Sequence, residues 1–454
     1  MQKLFDEVAS LDKRCYEEFF LSEDILMEHA ADGMAEYIRN KFEKNSKVII
    51  VCGSGNNGAD GIALARLLHV DYDVSVFYAK KPVSKMAFLQ QKRAYAVGVK
   101  ESAELESCDV LVDAIVGTGF SGEFSEELIG IIQKMNMLKA FKIACDVPSG
   151  YKFIADITLT MGALKKSMFL DSSKEFVGGI KVLDLGVSRH VYEKQSNYKL
   201  LDLDDLKLPL RVKKDSHKGS YGHLAVASGQ KSGASIMSAL SALRFGSGLV
   251  TLVGFEKIEI PHMLMYSHEV PKNTTALALG MGLGEEFSAQ ELEKFLDNSL
   301  PLIADADIFH MKAVLDILKR DEVVLTPHAK EFISLLKRAE IAEITVDELQ
   351  KERFKYVEMF CKKYPHVTLL LKGANVIIGR GDEIFVNPHG TSALAKGGSG
   401  DVLSGLIGAL LAQGYCALEA AINGSLTHVK LALNYGGADF SLTPDDLINE
   451  ISRL

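Results

Sequence analysis

The chain has 454 residues, of which 47% are hydrophobic and 24% charged. That is an ordinary soluble composition, too long for one core, so two or three domains are expected. The net charge of −9 argues against a general nucleic-acid or membrane-surface binder.

The N-terminal MQKLFDEVAS carries acids and no apolar run, so no secretory signal is visible. SEDILMEHAADGMAEYIRNKF (22–42) has amphipathic helical spacing, with Ser22 placed as its N-cap. Short apolar runs then alternate with helical stretches: KVIIV, VSVFYA, DVLVDAIV, FKIACDV, ITLTM and IKVLDLG. This pattern predicts a largely parallel, Rossmann-like α/β/α sheet covered on both faces.

After KVIIV comes CGSGNNGADG, which contains a formal G-x-G-x-x-G. A redox dinucleotide domain would place an acid ~20 residues further on, at the end of the second strand, to hold the ribose. Here that strand runs into Lys80 and Lys81, while Asp71 and Asp73 precede it. Classical NAD redox binding is therefore not expected. LVDAIVGTGFSGE places Asp113 at a strand end before a second glycine loop, and IACDVPSG does the same with Asp146 and Ser149. In a parallel sheet these ends share one edge with Asn56 and Asn57. Oxygens of Asn57, Asp113 and Ser149 can then converge on a hard cation, while loop N–H groups face phosphate. Taken singly, each of these residues is equally at home as a turn or cap residue.

The pattern changes at YKLLDLDDLKLPLRVKKDSHKGSYGH, placing a boundary near residues 200–212, with domains 1–205 and 206–454. A second α/β series follows: HLAVASG, LVTLVG, ALALGMGLG, PLIADAD, VVLTPH and VTLLLKGANVIIGRGDEIFVN. In the last of these, GRGD reads as a tight hairpin turn. ALAKGGSGDVLSGLIGALLA is the strongest motif. Gly397, Gly398, Ser399 and Gly400 lead into an apolar helix, so free N–H groups and the positive helix end converge on an anion hole suited to phosphoryl transfer. Asp401 stands where it can position a substrate hydroxyl and take its proton, although a helix start is expected to lower its pKa. Lys372 can meet nucleotide phosphate or be a solvated turn lysine. His328 can contact substrate or cap the following helix. The Walker sequence is absent, and DVLSGLIGALLAQGYCALEAA is broken by polar residues before it reaches membrane length. Six cysteines lie far apart with no C-x-x-C pair, which suits free thiols in a reducing cytoplasm.

The whole chain from about residue 5 resembles the bifunctional NAD(P)H-hydrate repair enzymes. In the first half the resemblance rests on GSGNNGADG, VDAIVGTGFSG, CDVPSG, ADITLTMGALKK and GGIKVLDLGV. In the second half it rests on HKGSYG, GSGLVTLV, GMGLG, ADAD, LTPHAKEF, LLKGANVII and AKGGSGDVLSGLIGALLAQG. The resemblance implies an N-terminal epimerase domain that interconverts R and S hydrates. It implies a C-terminal ribokinase-like α/β domain that uses ADP or ATP, with Mg2+, to dehydrate the S hydrate through a phosphorylated intermediate. By resemblance Asn56, Asn57, Gly58, Ala59 and Asp60, Gly117, Thr118, Gly119, Phe120, Ser121, Gly122 and Glu123, and Asp146 contact the hydrate in the first domain. Asn57, Asp113 and Ser149 hold potassium (K+). In the second domain Ala234, Gly282, His328 and Asp401 face the hydrate, while Lys372, Gly373, Ala374, Asn375, Val376 and Gly400 face the nucleotide. Asp113 and Asp401 are the candidate catalytic carboxylates. A cytoplasmic homo-oligomer, tetrameric by resemblance, is implied. Ala59 stands where the family's loop has glycine, and a methyl there is expected to crowd a close backbone contact or to require a φ that alanine dislikes. ADADIFHM departs from the family's run at Ile308, Phe309 and His310.

Two other readings stay open at this point. One is a ribokinase-like kinase of a vitamin-type alcohol with a noncatalytic first domain. The other is a binding scaffold of the kind found in RNA-decapping proteins, against which the retained Asn57, Asp113 and Ser149 and the acidic charge argue.

Overall fold

The computed structural model describes residues 1–120, 122–255, 258–285, 287–296 and 299–454. Contacts divide the chain into one unit at Lys3–Ser196 and a second at Asn197–Leu454 with Met1–Gln2.

In the first unit, helices α1 (Ala9–Glu18) and α2 (Glu23–Lys41) precede strand β1 (Lys47–Cys52) and helix α3 (Asn56–Leu68). The Ser22 hydroxyl accepts from the Ile25 N–H at 3.4 Å, the N-cap the sequence predicts. There follow β2 (Asp73–Tyr78), α4 (Lys85–Ala96), β3 (Lys100–Glu101), β4 (Val110–Ala114), α5 (Glu126–Met137), β5 (Phe141–Cys145), β6 (Ile157–Met161) and β7 (Gly179–Leu183). They form a seven-stranded sheet of order β3-β2-β1-β4-β5-β6-β7, parallel throughout. The apolar run of β1 explains its central place. Val48, Ile50 and Cys52 pack on one face with α1, α2 and α3, while Ile49 and Val51 pack on the other with α5. A strand buried on both faces needs no polar side. The strand order reverses between β1 and β4, so their carboxyl ends open a crevice.

The second unit holds β8 (Tyr198–Leu200), β9 (His223–Ala227), α6 (Ser232–Arg244), β10 (Leu249–Val253), β11 (Met265–Ser267), β12 (Ala276–Leu279), β13 (Leu302–Ala304) and β14 (Val323–Leu325). It continues with α7 (Ala329–Arg338), α8 (Arg353–Lys363), β15 (Val367–Leu371), β16 (Val376–Arg380), β17 (Glu383–Asn387), α9 (Ser399–Ala412) and α10 (Ala417–Asn434). The sheet order is β11-β10-β9-β12-β13-β14-β15-β16-β17-β8. It is parallel as far as β15, and β15, β16 and β17 run antiparallel. The expected hairpin is present, with Arg380 opposite Glu383 and Gly381 at φ 55°. Residues 197–205, which the sequence groups with the first domain, lie in the second unit because β8 pairs with β17. Helix α9, apolar all round, is sunk into the core beside α6 and α10. Ile308 and Phe309 lie fully inside the protein, so they act as packing residues. Among the described residues no helix is long and apolar enough to cross a membrane.

Candidate functional site

The first glycine loop is glycine-rich because two backbones meet there. A Cβ on Gly53 would lie 1.9 Å from the Ile115 carbonyl oxygen, and one on Gly58 would lie 2.1 Å from that of Gly53. The formal dinucleotide fingerprint thus serves β1–β4 packing. Ala59 does not crowd that contact. It sits inside α3 with no positive φ, buried against Met27, Met86 and Ala87. The expected conflict is absent because the helix already begins at Asn56, which turns position 59 away from the loop.

At the crevice lies a cavity of about 500 Å³ lined by the ends of β1, β4, β5 and β6. Of the expected hydrate contacts, Asn56, Asn57, Asp60, Gly117, Thr118, Gly119, Phe120 and Asp146 line it. Gly58 and Ala59 are buried and do not line it, and neither do the exposed Gly122 and Glu123. Ser121 lies outside the described residues. Asn56 donates to Glu23 at 2.6 Å. Asp146 holds a left-handed φ of 69°, a strain typical of functional positions. Its carboxylate is paired with Lys165, a fully buried lysine that also donates to Thr160 Oγ1 at 2.6 Å. Burial alone would raise the Asp146 carboxyl, but Lys165 outweighs it and holds the group below its ordinary range.

Asp113 is a correction. It is fully buried and does not line the cavity, so it cannot touch a ligand there as a catalytic carboxylate would. It accepts from the Ser149 N–H at 2.8 Å, from the Ser149 hydroxyl at 2.6 Å and from the Ile115 N–H at 3.2 Å. Burial lifts its carboxyl to about 6 against those hydrogen bonds. The Asn57 amide, its nitrogen buried without a partner among the described residues, stands beside Gly117. Amide, carboxylate, hydroxyl and the nearby Val116 carbonyl supply the oxygen donors that suit a hard cation.

Three groups lining or bounding this cavity were not legible as such in the sequence. Asp12 of α1 accepts from the Tyr192 hydroxyl at 2.7 Å, both lining the cavity, and Lys165 lies beneath Asp146. They come from distant segments with no spacing signal, although Lys165 does sit in the ALKK run.

In the second unit, Gly398 at φ 89° turns the chain into α9, and the N–H groups of Gly400 and Asp401 have no acceptor among the described residues. Lys372 reaches the same spot. A Cβ on Gly400 would lie 3.5 Å from its Nζ, and that Nζ donates to Asp305 at 2.7 Å and lies 3.9 Å from Glu331. Lys372 is therefore no solvated turn lysine. Burial lowers its pKa, but Asp305 and Glu331 prevail and raise it. Asp305, present in the ADAD run but given no role from sequence, also accepts from Ser404 at 2.9 Å. Fully buried Arg353 donates to the carbonyls of Lys372 at 3.1 Å and Asn375 at 2.9 Å, fixing the loop that carries Gly373 and Ala374 into Val376. Gly282, at φ 68°, is brought beside Ala234: a Cβ there would lie 3.1 Å from the Ala234 Cβ.

The Asp401 carboxyl corrects a second expectation. It is raised to about 6 by burial and by Asp305, Lys372 opposing. A helix start is worth ~0.3–1 kcal/mol, less than one pKa unit of ~1.36 kcal/mol, and burial wins. His328 caps α7. Its Nδ1 accepts from the N–H groups of Lys330 at 3.1 Å and Glu331 at 3.3 Å, while Glu331 accepts from the His328 N–H at 2.7 Å. His328→Ala is expected to cost about 1 kcal/mol of second-unit stability, with His328→Asn retaining most of it, read as the thermal midpoint of each variant.

The family model described as NAD(P)H-hydrate dehydratase matches residues 224–453, and one described as YjeF-related protein N-terminus matches residues 23–167. The bifunctional NAD(P)H-hydrate repair enzyme of Helicobacter pylori is 44% identical over 475 aligned residues covering 100% of each chain. That of Dictyoglomus turgidum is 30% identical, covering 93% of this chain and 91% of its own. The ADP/ATP-dependent NAD(P)H-hydrate dehydratase of Bacillus subtilis, co-crystallised with ATP and Mg2+, is 27% identical over 54% of this chain and 92% of that one, with a TM-score of 0.46.

Proposed function

This chain belongs to the bifunctional NAD(P)H-hydrate repair enzymes, and from that premise we propose how its two units divide the work. The enzyme restores hydrated NADH and NADPH. The first unit interconverts the R and S hydrates. The second dehydrates the S hydrate at the expense of ADP or ATP. The observation that carries the division is the pair of separately formed sites: a 500 Å³ cavity walled by carboxylates in one unit, and Lys372, Gly400 and Asp401 gathered at a helix start in the other. The small-alcohol kinase reading leaves the cavity without a task, and nothing in the structure favours it.

In the first unit the hydrate lies against Asn56, Asp60, Thr118 and Asp146. Asn57, Asp113 and Ser149 would hold potassium, whose charge would offset the buried Asp113 carboxylate. Asp113 thus orders the loops and is not in contact with substrate.

In the second unit the nucleotide lies along Lys372–Val376, and its terminal phosphate faces the free N–H groups of Gly400 and Asp401. Among the described residues no group of three or more His, Cys, Asp or Glu is arranged to hold a metal ion. Magnesium would be supplied with the nucleotide and would offset the charge on its phosphates. Asp401, ionised at neutral pH but with a carboxyl raised to about 6, accepts the proton of the C6 hydroxyl as that oxygen attacks phosphorus. Phosphate then leaves from C6, a proton leaves C5, and the ring double bond returns. Cytoplasmic location and a homo-oligomer follow from the family reading.

The test is to incubate an R/S hydrate mixture with the full-length protein, Mg2+, K+ and ADP or ATP. The reduced-nicotinamide absorbance should return in step with release of one phosphate per hydrate repaired. A stable phosphorylated product, or no return with either nucleotide, would overturn the reading.

A further inference from the structure

Three carboxylates line the first-unit cavity, Asp12, Asp60 and Asp146, with one buried lysine, Lys165, among them. Their hydrogen bonding separates them. Asp146 is committed to Lys165, Thr160 and the Met161 N–H. Asp12 is held by the Tyr192 hydroxyl, whose ring is almost wholly buried. The Asp60 carboxyl, one turn into α3, has no hydrogen bond or ion pair among the described residues. It is the carboxyl on this wall whose oxygens are left for a ligand. Asp12 and Tyr192 lie outside residues 23–167, so the matched N-terminal segment does not include them.

Resting on the epimerase reading above, we propose that Asp60 is the catalytic acid and base of epimerisation, and that Asp12, fixed by Tyr192, is the positioning residue that keeps the Asp60 proton in place. In this step inversion at C6 comes from breaking the C6–O bond and re-forming it on the other face. The Asp60 proton passes to the C6 hydroxyl, and the C6–O bonding pair leaves with the oxygen as water. The N1 lone pair closes an N1=C6 double bond, and the ring becomes cationic. Water then adds to the opposite face, its electron pair forming the new C6–O bond. The released proton returns to the Asp60 carboxylate through water, and no other reactant is consumed.

The surroundings suit both halves of this step. The charges of Asp12 and Asp146 face the cationic ring, where preorganised negative charge lowers the barrier. The same charges support Asp60 in its neutral form. Burial, then Asp146, Asp12 and Glu23, hold its carboxyl well above the ordinary range, and Lys165 opposes them. Other titratable groups near it are the thiols of Cys52 and Cys145 and the phenol of Tyr16, all shifted upward by burial first, and the amine of Lys80, which lines the same cavity.

The test uses full-length protein with K+ and no nucleotide, following R-to-S conversion by chromatographic separation of the hydrates. Asp60→Asn is expected to lose about 100-fold or more in epimerisation, while nucleotide-dependent dehydration of the S hydrate stays at the wild-type rate. Asp60→Glu should recover part of the loss. Asp12→Asn should lose roughly tenfold and also move the alkaline limb of the pH–rate profile to lower pH, since Asp60 sheds its proton more easily once that charge is gone. A merely structural Asp12 would lower the rate equally at every pH, and that result removes its assigned role. An Asp60→Asn protein with a wild-type thermal transition and near wild-type epimerisation overturns the proposal. A wild-type protein that dehydrates the S hydrate but does not epimerise overturns the epimerase reading instead, so the two failures are distinct.

Discussion

Asp401→Asn should abolish nucleotide-dependent dehydration, lowering its rate by about 100- to 10,000-fold, and leave R/S interconversion untouched. The expectation follows from where the carboxyl sits. It begins α9 beside two unbonded N–H groups, with Lys372 and Asp305 within reach. Asparagine keeps the shape and the helix start but takes no proton from an attacking hydroxyl. In the wild type, the rate should fall as pH drops through about 6, where Asp401 becomes protonated. The residual activity of the variant should lack that acid limb. Measuring both limbs on both proteins separates loss of the base from loss of nucleotide binding, because the latter would raise the nucleotide KM and leave the limb in place.

Lys165→Met is the larger stability experiment. Lys165 is fully buried and paired to Asp146, whose side chain is 12% exposed. Removing one partner of a buried pair leaves an uncompensated charge and costs about 3–5 kcal/mol. At roughly 2–4 °C per kcal/mol for a unit of this size, the first-unit transition should fall on the order of 10 °C. In the wild type the Asp146 pKa is depressed, so this pair contributes stability above the ordinary aspartate range and loses it as pH falls through the depressed value. In the variant Asp146 titrates higher. The deficit relative to wild type should therefore shrink toward acid pH and grow toward neutrality. Calorimetry of both proteins across that range checks the size and the direction. A pH-independent deficit would mean lost packing and not an unpaired charge.

The parallel strands, the Ser22 cap and the Gly381 hairpin were legible because each rests on a local pattern: an apolar run, a cap residue, a turn glycine. The helix start after the second glycine loop was legible for the same reason, a glycine run leading straight into an apolar stretch. Ala59 was misjudged because sequence does not show that α3 starts at Asn56, and one turn of helix moves that methyl from the loop to a buried face. Asp113 was named a catalytic carboxylate as well as a cation ligand because its strand-end position was visible while its depth was not. Asp401 was expected to be depressed because the helix start is local, whereas the burial and the Asp305 charge that outweigh it are tertiary. Asp12, Tyr192 and Arg353 had no motif to mark them: each acts across 15 or more residues of chain or from an unremarkable helix. Lys165 lay inside the ADITLTMGALKK run, but its pairing with Asp146, 19 residues away, did not show there.

The most direct test of the account is the initial rate of absorbance recovery from R-enriched hydrate, with Mg2+, K+ and ADP or ATP, measured against the rate of spontaneous epimerisation. The account predicts recovery from R material well above the spontaneous rate, with Asp401→Asn interconverting the hydrates but restoring none. Recovery of R material only as fast as it epimerises unaided would contradict two working sites on one chain.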